Sequence, residues 1–167
     1  MMTLYHGSYM VVRSPDVTYG REEVDFGQGF YLTRLRKQAT DWARVVAGRE
    51  PRRRAKLNKY AFDKESAIAA GFRFKEFVAY DMEWLDYVVD CRNGGRLQRL
   101  YDVVEGGVAN DNVIDTVEDF ENGVITAEQA LGQLRYKKVN HQICIHHQDV
   151  VDRFLRFQSG EGVSHAR

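Results

Sequence analysis

The chain has 167 residues, 44% apolar and 29% charged, which suits one folded domain with a sizeable core. Lys+Arg and Asp+Glu balance at 24 each, excluding a whole-molecule field that would steer the protein onto nucleic acid or membrane; any such partner has to be met by a local patch. The two cysteines, Cys91 and Cys144, lie in apolar-patterned segments and suit reduced thiols rather than a disulfide framework. No run approaches the roughly 18 apolar residues of a membrane span, and no N-terminal segment has a signal pattern, so a cytoplasmic protein without membrane contact is expected.

Residues 2–6 alternate as a short strand, with Leu4 and His6 on one face and Thr3 and Tyr5 on the other; Gly7 and Ser8 end it. Residues 9–24, with Pro15 and Gly20, read as a loop. In Asp25–Thr33, Gly27 and Gly29 alternate with aromatics, predicting a backbone that bends or comes close to something, with Tyr31 at a strand end. Thr33 is expected to open a helix whose apolar stripe is Ala39, Trp42, Ala43 and Val46, stopped at Gly48. The charge run Arg49–Lys56 contains Pro51 and is either a solvated loop or a phosphate-contacting patch for NAD or a nucleic acid.

Residues 57–62 read as a strand with Asn58, Tyr60 and Phe62 on one face, and 68–80, around Phe72 and Phe74, as another. Asp81 caps a helix with Trp84, Leu85, Val88 and Cys91 inward, ended by Gly94-Gly95. Residues 100–109 read as a buried strand broken by Gly106 and Gly107. Asn110-Asp111 then caps a helix carrying Val113, Ile114, Val117 and Phe120, stopped at Gly123. Thr126 and Gln129 have capping-box spacing before a helix with Ala130, Leu131 and Leu134 inward. The last strand, 140–146, puts Gln142, Cys144 and His146 on one face and His141, Ile143 and Ile145 on the other; Asp149 caps a final helix. This order lacks regular βαβ alternation and predicts an α+β fold. A single domain over 1–157 is expected, followed by a flexible polar tail over 158–167.

Several constellations fail. His141 and His146 are too far apart on a strand to share a metal, and His146 and His147 point to opposite faces, so no metal site is expected. Asp25-Phe26-Gly27 matches a kinase magnesium triplet without a preceding His-Arg-Asp loop, and the Gly27/Gly29 pair does not complete a dinucleotide fingerprint. Taken singly, His6 reads as an ordinary core or surface histidine, Tyr31 as a core aromatic at a strand end, and Gln142 as a polar residue on a solvent face.

The joint pattern is more specific. Leu4–Ser8, Asp25–Thr33 with Gln38-Ala39 and Trp42-Ala43, Glu83–Leu85, Tyr101–Asp111 and His141–Ile143 resemble, in order and spacing, a bacterial family within the ADP-ribosyltransferase superfamily, often the toxin of toxin–antitoxin pairs. The resemblance implies a split β-sandwich with flanking helices and NAD, as substrate, in the cleft between two small sheets. His6 would hydrogen-bond a ribose hydroxyl, backbone around Gly7 and Ser8 would hold the nicotinamide amide, and Tyr31, with Gly29 and Phe30 beside it, would stack on the ring. Gln142 stands where the superfamily usually has a catalytic glutamate. It can orient the ribose 2′-hydroxyl but brings no charge, which implies either a lower rate or a burden shifted to a carboxylate such as Asp102, Glu105 or Asp111, and single transfer rather than chain building. The implied function is NAD-dependent mono-ADP-ribosylation of a protein or nucleic-acid acceptor by an intracellular toxin, with a cognate antitoxin as a further partner. The alternatives are an NAD-binding or NAD-hydrolysing protein without a macromolecular acceptor, and a non-catalytic module gripping nucleic acid through Arg52-Arg53-Arg54.

Overall fold

The computed structural model describes residues 1–110 and 113–164. In chain order the described elements are β1 (Met2–Ser8), β2 (Phe30–Leu32), α1 (Arg36–Gly48), β3 (Lys56–Phe62), α2 (Lys64–Ala69), β4 (Phe74–Glu76), α3 (Met82–Arg92), β5 (Val103–Gly106), α4 (Ile114–Glu121), α5 (Ala127–Leu134), β6 (Gln142–Ile145), α6 (Gln148–Phe154) and β7 (Leu155–Gly162). The fold is α+β. One sheet has the order β1-β3-β7 and the other β2-β6-β5-β4. Pairing is antiparallel apart from β4 with β5. An isolated bridge between Tyr5 and Thr33 ties the two sheets, with reciprocal backbone bonds of 2.8 and 2.9 Å.

Strand alternation divides the apolar residues between two cores. Leu4, Phe30, Tyr60, Phe62, Ile143 and Ile145 belong to one cluster, to which both sheets contribute. Phe26, Trp84, Leu85, Val104, Val117 and Cys144 belong to the other, where the second sheet meets α3, α4 and α5. β2, β5 and β6 therefore feed both: in β6, Ile143 and Ile145 go one way, Cys144 the other. A one-residue slip of β6 would exchange them.

The caps at α3 and α5 follow their sequence signals. The Asp81 carboxylate accepts from the Trp84 amide at 2.9 Å, and Gly94 takes a left-handed φ of +71° just after the helix. Thr126 and Gln129 form a reciprocal capping box, with bonds of 3.2 and 2.8 Å. The Trp84 indole is fully buried and satisfies its Nε1–H on the Gly107 carbonyl at 3.1 Å.

Elsewhere the local signals are overridden. Thr33 does not open a helix. It is buried in the bridge to Tyr5, and α1 begins three residues later, packing Ala39, Ala43 and Ala47 inward while Trp42 stands 46% exposed. The small alanine stripe wins over the bulkier one because the helix lies hard against β1 at Gly7. Residues 64–69 form α2, which takes the first two residues of the expected 68–80 strand, and within that stretch only Phe74–Glu76 are strand. The last helix is capped by His147, with Asp149 in its first turn. Residues 158–162, expected to begin a loose tail, continue β7 and pair with β3. Residues 165–167 lie outside the described residues, as does Asp111 of the expected Asn110-Asp111 cap.

Candidate functional site

His6, Tyr31 and Gln142 are built on three strands that meet where the two sheets part. Past the Tyr5–Thr33 bridge β1 leaves β2, and His6 spans the divergence: its Nδ1–H donates to the Tyr31 carbonyl at 2.7 Å. That bond leaves Nε2 as the ring's acceptor in the neutral form. The ring lies 4.5 Å from that of Phe30, and burial lowers the histidine pKa against the opposing pull of the Tyr31 carbonyl.

Tyr31 and Gln142 share the other face of the second sheet. Tyr31 pairs with Cys144, two residues from Gln142, so all three side chains point the same way. The Tyr31 hydroxyl donates to the Gly27 carbonyl at 2.5 Å and accepts from the Phe26 amide at 3.1 Å, fixing the ring by both ends. Burial pushes its pKa well up, as it does for the fully enclosed Cys144 thiol beside it. Gln142 is buried. Its Nε2 donates to the Gly107 carbonyl at 3.2 Å and to Asp25 Oδ2 at 3.4 Å. Both partners are acceptors, which sets the amide orientation and leaves Oε1 as the hydrogen-bond acceptor.

The structure thus joins His6 to Tyr31 through the β2 backbone, and Tyr31 to Gln142 through a common face and the Asp25–Gly27 segment. The His6 ring stands on the opposite face, beside Phe30, and no hydrogen bond or ring contact links it to Gln142 among the described residues. Gly7 and Gly29 are accounted for by packing. A Cβ on Gly7 would collide with the Ala39 carbonyl oxygen and lie 2.7 Å from the Ala43 amide nitrogen. One on Gly29 would sit 2.5 Å from Cys144 Sγ and 2.6 Å from the Ile145 carbonyl oxygen. Ser8 is buried, its hydroxyl accepting from the Met10 amide at 3.3 Å.

The carboxylate beside Gln142 is Asp25, the first residue of the Asp25–Thr33 stretch, for which the sequence implied no role. Asp25 accepts from the Ala109 amide at 2.8 Å and from Arg92 at 3.3 Å. Burial nevertheless raises its pKa over the lowering pull of those donors. A lone Asp in a loop gives no sequence sign of this role, because its partners lie 67, 84 and 117 residues away. The carboxylates suggested by the sequence stand elsewhere. Asp102 is held by the backbone and guanidinium of Arg73. Asp111 lies outside the described residues.

Glu105 faces the opposite side of β5 and anchors the start of β6. Its Oε1 accepts from His141 Nε2–H at 2.9 Å and from Arg34 at 2.6 Å, and its Oε2 from Lys64 at 2.9 Å. Burial works against the charge, but the hydrogen bonds from His141 and Lys64 and the charges of Lys64 and Arg34 prevail and bring the pKa to about 2. His141 Nδ1 accepts from the Arg34 amide at 3.0 Å, so both ring nitrogens are engaged. Gln38 of α1 then clips the His141 backbone, donating to its carbonyl at 2.7 Å and accepting from its amide at 3.4 Å. Gln142 follows directly.

A concavity of about 460 Å³ lies at the far end of β6 between Glu22, Arg73, Gln98, Asp102 and His146, away from His6 and Gln142. No described helix is long and apolar enough to cross a membrane.

No curated protein and no solved structure matches the chain. Residues 2–157 match the family described as "Protein of unknown function (DUF3990)", and because that match takes in almost the whole length, the chain belongs to this family.

Proposed function

We propose that the protein is an NAD-dependent mono-ADP-ribosyltransferase with an ADP-ribosyltransferase-like split β-sandwich, acting inside bacterial cells as the toxin of a toxin–antitoxin pair. The observation that carries this reading is the Gln142 amide, whose nitrogen is consumed by Asp25 and Gly107 and whose oxygen is left to accept a hydroxyl proton. Support comes from the two sheets parting at β1 and β2, with His6 across the gap and the Tyr31 ring fixed by its hydroxyl.

In the reaction the bond between the nicotinamide nitrogen and the ribose anomeric carbon breaks, and nicotinamide leaves with the electron pair. Positive charge develops on the ribose through an oxocarbenium-like state, and an acceptor nucleophile bonds to that carbon and loses its proton. Gln142 Oε1 accepts from the ribose 2′-hydroxyl, and Asp25, hydrogen-bonded to the other end of the amide, polarises it. Preorganised dipoles of this kind do their work without reorganising as charge develops. Tyr31 stacks on the nicotinamide, and His6 Nε2 is the acceptor for a second ribose hydroxyl.

The test is purified protein with labelled NAD and a bacterial lysate, following label into protein, nucleic-acid and small-molecule fractions together with nicotinamide release. Tyr31→Ala should abolish labelling and weaken NAD binding. Gln142→Ala should lower kcat about 100-fold while leaving KM for NAD within roughly threefold. Full activity of a folded Gln142→Ala variant refutes the assignment. Release of free ADP-ribose with every acceptor fraction unlabelled would make the protein an NAD hydrolase.

A further inference from the structure

The neutral net charge hides a strongly basic region. Residues 34–56 hold seven arginines and two lysines against Asp41 and Glu50 alone. Arg34, Arg36, Lys37 and Arg44 are paired with Glu105, Glu161 and Asp41. Arg49, Arg52, Arg53, Arg54 and Lys56 have no carboxylate partner among the described residues.

These five charges sit on an ordered turn. The Arg49, Glu50 and Arg53 amides donate to the Val46, Ala47 and Glu50 carbonyls at 3.3, 3.2 and 3.2 Å. Ala55 is buried among Ala43 and Ala47, and its carbonyl accepts from the Val163 amide at 2.9 Å. Two rings are interleaved with the charges: the Arg49 guanidinium lies 5.5 Å from the centroid of Trp42, and that of Arg53 lies 5.3 Å from Tyr9. At the tip, Arg52 has φ of +64°, and it is the one non-glycine residue with positive φ among those described. Glycine takes that conformation freely, whereas an L side chain is strained there. A turn that needed only solubility would be better served by glycine. An arginine kept at a strained position points to a use for its side chain.

We propose that this face, formed by the C-terminal half of α1 and residues 49–56, binds single-stranded nucleic acid and docks it as the acceptor. The acceptor role rests on the transferase reading; the binding does not. Unpaired arginines neutralise backbone phosphates, and the exposed Trp42 ring, with the half-buried Tyr9 nearby, stacks on bases, which a single strand offers and a duplex conceals. An acidic protein would use the charges and leave the rings idle.

Trp42 supplies the readout, since the only other tryptophan, Trp84, is fully buried. Oligothymidylate of about 16 nucleotides, titrated without NAD, should quench Trp42 emission. Its log affinity should fall against log salt with a slope of about −3. Arg52→Gly relieves the backbone and so should fold at least as well, yet bind roughly fivefold more weakly with the slope reduced by about 0.7. Trp42→Leu should keep the slope and lose roughly tenfold in affinity. No quenching at low salt overturns the proposal, as does a duplex or polyglutamate binding as tightly as the oligonucleotide. Absence of binding in a protein that transfers ADP-ribose removes this surface and leaves the transferase. Binding in a protein inert toward NAD upholds the surface and removes only its acceptor role.

Discussion

Replacing Gly7 by alanine is expected to destabilise the fold by about 3 kcal/mol or more, the upper end for overpacking, because the new methyl meets backbone rather than a yielding side chain. Its Cβ would overlap the Ala39 carbonyl oxygen and press on the Ala43 amide nitrogen. These atoms belong to the hydrogen-bonded ladder of α1, so the helix has to move as a body. Such a shift also disturbs the Gln38 clip on His141, one residue before Gln142. Urea unfolding of Gly7→Ala beside the parent measures the cost. A loss below about 1 kcal/mol would mean that α1 does not pack on β1 as closely as described. Gly7 therefore has a structural requirement of its own, met whether or not nicotinamide approaches the backbone there, and lost activity in this variant alone says nothing about NAD.

Gly7 also shows where the sequence is readable. A glycine beside a histidine at a strand end signals close approach, but only the tertiary structure tells what approaches. The signals that survived are local ones. Asp81 and Thr126 sit next to the amides they cap, and the alternation of Leu4 with His6, or of Asn58, Tyr60 and Phe62, depends only on strand pleat. Long-range demands overrode the rest. Thr33 carries a helix-cap residue type yet is drawn into the bridge to Tyr5, and Trp42 lies in the apolar register yet is displaced by the alanines that fit against Gly7. Residues 158–162 look like a tail because their side chains are small or polar, but β3 offers an edge that backbone alone can pair with. At the candidate site His6, Tyr31 and Gln142 were legible as a joint pattern. Asp25 carried no such sign, and Glu105, one of three carboxylates the sequence offered, turns out to hold His141, Arg34 and Lys64 instead; their partners are scattered from Arg34 to Gln142 and only the folded chain assembles them.

Glu105→Gln is expected to cost about 2–3 kcal/mol and to make the protein less sensitive to acid. The carboxylate is buried and holds three donors, yet Arg34 is 45% and Lys64 24% exposed on the side chain, so both cations can recover water once it is gone. This keeps the loss below that of a wholly enclosed ion pair. The folded pKa of about 2 lies below the ordinary 4.5. The ionised form is therefore favoured in the fold, its contribution is complete above about pH 4.5, and it is lost as pH falls toward 2. That difference corresponds to about 3 kcal/mol. Asp25 acts in the opposite sense: its pKa is raised by burial, so acidification relieves a cost there and partly offsets the Glu105 loss. Urea midpoints of parent and Glu105→Gln between pH 7 and 3 should draw together at the acid end, the parent falling more steeply than the variant, which keeps the acid-labile Asp102–Arg73 pair. Parallel profiles would show that Glu105 is not the group whose protonation unfastens the fold. The same variant bears on the proposed transferase reaction, because Glu105 holds His141 immediately before β6. If that anchor loosens, the start of β6 shifts and the Gln142 amide nitrogen loses its hold on Asp25 and Gly107. Below its midpoint of unfolding, Glu105→Gln should then, on the transferase proposal, lose turnover with NAD while keeping its affinity for NAD, and a fully active variant would show that Gln142 is held by Asp25 and Gly107 alone.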